Sequence, residues 1–134
     1  MAANTGNGAT LTQSGLTVAI TSISVGGRTL PTVDVTLLAD TVTKLIAGDV
    51  LVQKPIEIMF LFDSTDSDNV PTLGGASVST TITFPSQGGT AATLIGTVIN
   101  TDLDLPTLAN NERQEGKIIM TPDGQTAMAF TVEV

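Results

Sequence analysis

"PIEIMFLFD", Pro55 to Asp63, decides the fold. Side chains along a strand point alternately to opposite faces. Ile56, Ile58, Phe60 and Phe62 therefore share one side, and Glu57, Met59, Leu61 and Asp63 share the other. The first set is wholly apolar and the second is mixed. That pattern predicts a strand buried on one face and partly covered on the other, near the middle of a sheet.

The same two-residue period extends in both directions. Upstream, "GLTVAITSISVGG" alternates Leu16, Val18 and Ile20 with Thr17, Ala19 and Thr21, then stops at Gly26-Gly27, a strand followed by a turn. "TVDVTLL", Thr32 to Leu38, sets Val33, Val35 and Leu37 against Asp34 and Thr36 and predicts a second half-buried strand. "DTVTKLIAG" offers Asp40 as an N-cap and Gly48 as a stop, which predicts one short helix. Downstream, "DSTDSDNVPTLGG" reads as an acidic loop. Val78, Thr80, Ile82 and Phe84 then share a strand face, and Pro85 to Gly89 reverses the chain. Thr90 to Asp104 reads as the return strand, because its β-branched density and the internal Gly96 disfavour a helix. "GKIIMTP", the turn "PDGQ" and "TAMAFTVEV" predict a closing antiparallel pair, with Met128, Phe130, Val132 and Val134 on one face.

About seven short strands punctuated by Gly, Pro, Asn and Asp predict a mainly β, antiparallel sandwich or barrel with one short helix. Residues 1–14 lack periodicity and are expected to form a flexible N-terminal arm, leaving 15–134 as a single domain. A chain of 134 residues is large enough to bury one core without staples.

Composition removes whole classes of function. With no Cys and no His, the chain has neither disulfides nor thiolate or imidazole chemistry. Trp and Tyr are absent too, so the usual stacking platforms for sugars and single-stranded nucleic acids are missing. Thirteen acidic residues against five basic ones give a net charge of -8, the wrong sign for holding a phosphate backbone. The first residues show neither a basic n-region nor an apolar h-region, and no apolar run approaches a bilayer span, so a soluble protein made in a cytoplasm is expected.

Catalytic signatures are missing. The sequence contains no G-x-S-x-G elbow, P-loop or dinucleotide fingerprint. Asp63, Asp66 and Asp68 share a loop, as hard-cation sites require, but the Gly and distal Glu of an EF-hand are absent, and a solvated loop is the simpler reading. Asp102 and Asp104 alternate on one strand face, where they read as exposed strand ends and not as a glycosidase pair. No enzyme, cofactor or metal site is expected. "NNERQE", Asn110, Asn111, Glu112, Arg113, Gln114 and Glu115, interrupts two β-like runs and is either an exposed turn or a surface that another molecule reads.

Three segments, taken in order, resemble the tail tube (major tail) proteins of long-tailed bacteriophages. They are "TSISVGGRTLPTVDVTLLADTVTKLIAGDVLVQKPIEIMFLFD", "TITFPSQGGTAATLIGTVIN" and "DLPTLANNERQEGKIIMTPDG", together running from Thr21 to Gly124. The resemblance implies a structural virion protein that self-assembles into stacked hexameric rings. These form the tail tube, assembled in the host cytoplasm, through which DNA leaves the particle without specific binding. It further implies tape-measure, tail terminator and baseplate or tip proteins as partners, with no membrane. Asn110 to Glu115 would then meet a neighbouring subunit, and Glu57 and Asp63, off the apolar face of the longest strand, become candidates for the lumen. The absence of aromatic residues from most core strands departs from the family. A capsid decoration protein and the tube protein of a contractile secretion apparatus are the alternative readings.

Overall fold

A computed structural model describes residues 8–16, 18–67, 70–125 and 127–134. Eleven strands follow in chain order: β1 (Thr10–Gln13), β2 (Ala19–Ser24), β3 (Arg28–Thr29), β4 (Thr32–Asp34), β5 (Leu45–Ala47), β6 (Val52–Gln53), β7 (Ile56–Leu61), β8 (Val78–Thr83), β9 (Thr93–Asp104), β10 (Glu115–Pro122) and β11 (Ala129–Thr131). The protein is mainly β and antiparallel, as the periodicity predicts. Seven strands form one sheet in the order β1-β8-β9-β10-β7-β2, with β11 also on β9. The other four form two ribbons, β3 with β6 and β4 with β5.

The sheet curls on itself. In a flat sheet β1 and β10 would lie about 14 Å apart, three strand spacings of ~4.8 Å. Yet the Gln13 side chain on β1 approaches the Met120 sulfur on β10 to 3.7 Å, which only a barrel-like curvature allows. Inside sit Ile56, Ile58 and Phe60 of β7, Ile118 and Met120 of β10, Val98 of β9 and Ile82 of β8, with Leu16 and Met128 completing the cluster. The "PIEIMFLFD" stretch thus reads true: Ile56, Ile58 and Phe60 are at most 1% exposed, and Phe62 packs against the cluster from its margin. Three polar side chains share this interior. Gln13 donates to Thr80 Oγ1 at 2.9 Å, and Asn100 Nδ2 donates to Gln13 Oε1 at 3.3 Å.

Two irregularities aim the apolar residues inward. The β2–β7 register shifts between Ile20 and Ser22, so the inward set moves from Leu16 and Ile20 to Ile23 and Val25. The β9–β10 register shifts at Thr101, moving it from Val98 and Asn100 to Leu103. Each extra residue flips the side-chain parity beyond it.

Several expectations need correction. No α-helix forms among the described residues: Leu45–Ala47 of the expected helix is β5, paired with β4, in keeping with the β-branched residues of Thr41 to Ile46. The "TVDVTLL" strand is cut to Thr32–Asp34 and buries nothing. The closing hairpin is absent, because β11 continues along the same edge of β9 that β10 occupies, Pro122 opposite Val98 and Ala129 opposite Ile95. "PDGQ" lies in a loop that leaves this edge and returns to it. Asp123 holds that loop, accepting from Thr97 Oγ1 at 2.8 Å and from the Gln125 N–H at 3.0 Å. Of its expected apolar face only Met128 is buried; Phe130, Val132 and Val134 are exposed. Within the expected arm over 1–14, residues 1–7 lie outside the described set, while Thr10–Gln13 pair with β8.

Candidate assembly surfaces

The strongest surface feature is the excursion between β2 and β7. From Arg28 to Ala47 every residue except Asp40 is exposed. Leu30, Val33, Leu37, Leu38, Val42 and Ile46 lie among its uncovered apolar side chains, and Leu38 is fully exposed at 107%. Its two ribbons pair internally, β4 on β5 and β3 on β6, while Gln53 fastens the root by accepting from the Met128 N–H at 2.8 Å. Gly26 opens this root. A Cβ there would stand 2.5 Å from the Lys54 and Pro55 carbonyl oxygens, so only glycine permits the close passage of the two chains.

The tip of this arm is held by its own polar groups. Asp34 accepts from the Thr36 N–H at 2.8 Å, Asp40 accepts from the Leu37 N–H at 2.7 Å, and Lys44 pairs with Asp40 at 2.9 Å. The hydrogen bonds from Thr36 lower the Asp34 pKa, and that from Leu37, then Lys44, lowers the Asp40 pKa. Leu37 and Leu38 therefore stand on a defined turn.

At the arm's root lies an apolar cavity of about 280 Å³. Val25, Leu94, Met128 and the edge-to-face pair Phe84–Phe130, 5.5 Å between ring centres, wall it. Arg28 and Lys54 also line it, and no carboxylate does. The ion pairs among the described residues use Lys44, Arg113 and Lys117, so Arg28 and Lys54 have no ion-pair partner among the described residues.

Glu57 and Asp63 were expected on one face. Glu57 does lie off the core, where Lys117 reaches it at 3.8 Å. The register places Glu57 opposite Ile119, Asp102 opposite Ile119, Asp104 opposite Lys117 and Glu115 opposite Leu61, all on the outer face of the sheet. Four carboxylates thus share this face with Lys117, and Arg113 reaches Glu115 from the preceding loop at 3.2 Å. Asp63 follows the strand end and accepts from the Thr65 hydroxyl at 2.6 Å and N–H at 2.9 Å, bonds that lower its pKa and shape the turn there. Asp68 lies outside the described residues.

The polar stretch from Asn110 divides. Asn110 and Asn111 form a turn, Asn111 in the left-handed region at φ 62° that Asn tolerates better than most residues. Glu112, Arg113 and Gln114 are exposed, whereas Glu115 begins β10, accepting from Thr21 Oγ1 at 2.7 Å and Arg113 Nε at 3.2 Å. Leu105 and Leu108, exposed just before the turn, give this loop an apolar flank.

The resemblance implied a subunit contact at Asn110 to Glu115, whereas the residue pattern read the exposed arm as a half-buried strand and a short helix. Val33, Val35 and Leu37 alternate as a half-buried strand does; the signal of an unburied arm was the number of apolar residues between Leu30 and Val52 on both parities, more than one buried face can take.

No protein-family model matches the chain, and no curated protein does. Solved structures do match. A chain in the cryo-EM structure of the anti-feeding prophage (AFP) baseplate, 6-fold symmetrised, superposes with a TM-score of 0.68 over 92% of this chain and 91% of its own, at 8% identity. The two chains share a fold. The shared part is nearly the whole of each chain.

Proposed function

We propose that this chain is a structural subunit of a phage-like particle, self-assembling into hexameric rings that stack into the tail tube. The observation that carries the reading is the exposed apolar arm from Leu30 to Val52 on a chain whose fold recurs in a six-fold baseplate. An isolated soluble monomer rarely exposes so many large apolar side chains on one segment; a second chain covering them removes that cost. The outer sheet face with Glu57, Asp102, Asp104 and Glu115 suits a lumen, since like charge denies DNA the counterion-releasing contacts that would trap it. Asn110 to Glu115, flanked by Leu105 and Leu108, is a secondary contact between subunits. Tape-measure, terminator and tip proteins are the expected further partners.

A second reading is favoured by the neighbour itself: a ring of the baseplate that starts a tube without forming its length. Negative-stain electron microscopy of the purified protein at high concentration separates the readings. Striated hollow tubes support the tail tube, single hollow rings support the baseplate ring, and discrete trimers without a channel would overturn both in favour of a capsid decoration protein.

A further inference from the structure

We propose that the arm tip of one copy, Leu37 and Leu38 between Asp34 and Asp40, docks into the Val25–Phe130 cavity of a second copy. The inference rests on the self-assembly reading and names its contact.

Shape, charge and position agree. A cavity of ~150 Å³ accepts a benzene-sized group, so about 280 Å³ at the arm's root has room for two leucine side chains. Its walls are Val25, Leu94, Met128 and the Phe84–Phe130 pair, with Phe130 half exposed at the rim. Arg28 and Lys54, the two cations without an ion-pair partner among the described residues, line the socket; the tip carries Asp34, while Asp40 is already neutralised by Lys44 at 2.9 Å. A second copy therefore brings an acidic apolar plug to a basic apolar socket, complementarity that fixes orientation as well as attraction. The chain does not fill its own socket, because Leu38 is fully exposed. Plug and socket are different patches, so the contact is heterologous: it leaves one free plug and one free socket at each step, and it closes into a ring when the rotation per step divides a full turn.

The cysteine-free chain makes the test direct. Leu38→Cys alters a side chain that touches nothing, and a Cβ at Gly27, on the cavity wall, meets no atom within 4 Å; both variants should keep the wild-type melting temperature. Mixed under mild oxidation, L38C and G27C should form a disulfide-linked heterodimer in at least about tenfold greater yield than L38C with T72C, a pair outside the proposed contact. Reversing both charges with R28E and K54E in the G27C chain should lower the yield by about tenfold, the size of effect expected of a close interfacial charge pair. A single chain carrying both cysteines should give a ladder of covalent oligomers. Heterodimer no more abundant than the T72C control, in chains that melt normally, overturns the proposal. Tubes formed by L37D/L38D would overturn the docking and leave the tube reading standing; a ladder without hollow particles would support the docking and overturn the tube.

Discussion

At the scale of the residue, the interior of the barrel is held by a polar cluster that composition does not reveal. Gln13, Thr80 and Asn100 are each at most 7% exposed, and Gln13 bonds to both of the others beside Met120. Removing one partner strands the rest, whereas removing both with apolar groups of similar shape is far cheaper. Gln13→Leu should therefore cost about 1–3 kcal/mol, and adding Asn100→Leu should recover part of it, so that a double-mutant cycle by urea denaturation gives a coupling of the two sites clearly different from zero. Gly116 poses the opposite problem, one of space. A Cβ there would stand 2.7 Å from Phe60 Cζ and 3.2 Å from the Asp104 carbonyl oxygen, and Phe60 is fully buried. Gly116→Ala should cost about 1–3 kcal/mol as an overpacking change, with Phe60→Leu restoring some stability in the same background.

Elements explain why some of this was legible and some was not. β7 was read correctly because one face is wholly apolar and both neighbours pair with it. The bulges were in principle visible: Leu16, Val18 and Ile20 are even-numbered and Ile23 and Val25 odd, a break in parity that only an extra residue repairs. The continuation of β10 into β11 was not, because "PDGQ" has the chemistry of a hairpin turn and only the pairing partner, β9, shows that the chain does not reverse. The arm misled for a related reason, since alternation marks a strand but does not say what covers it. Replacing residues 31–51 with a short Gly-Ser linker should leave the barrel folded, with a melting temperature within a few degrees of the parent, because the arm contributes no residue to the core cluster; sedimentation should show the shortened chain as a monomer at every concentration. The C-terminal segment behaves differently. Glu133 accepts from the Gln87 N–H with both oxygens at 2.9 Å and from the Gly89 N–H at 2.8 Å, tying the chain end to the 86–90 turn. The bonds from Gln87 and then Gly89 lower its pKa. A carboxyl whose folded pKa lies below its unfolded value, about 4.3, contributes stability that is complete above that value and is lost as pH falls through the folded one. Hydrogen exchange at Gln87 and Gly89 should accelerate on acidification below about pH 4 beyond the intrinsic trend, and Glu133→Gln should abolish that excess while leaving exchange in β7 unchanged.

At the scale of the whole molecule, net charge and geometry have to agree on which wall would face the channel of the proposed tube. Glu57, Asp102, Asp104 and Glu115 share the outer sheet face with Lys117, and Arg113 pairs with Glu115, whereas Arg28 and Lys54, which have no ion-pair partner among the described residues, line the cavity at the root of the arm. The sheet face is net acidic and the cavity lining basic, the two meeting where Lys54 and Glu57 border a common groove. A conduit for DNA needs the first to line the lumen and the second to be covered by neighbouring subunits, because an uncovered basic patch facing DNA would bind it. Asp104→Cys, at an exposed site on the acidic face, distinguishes inside from outside. In intact tubes a small maleimide should label it while a polyethylene-glycol maleimide too bulky for the channel should not, and dissociating the tubes should restore reaction with both. Equal labelling by the bulky reagent before dissociation would place Asp104 on the outer wall. The repulsion argument would then have to be abandoned for this face, while self-assembly through the arm would stand.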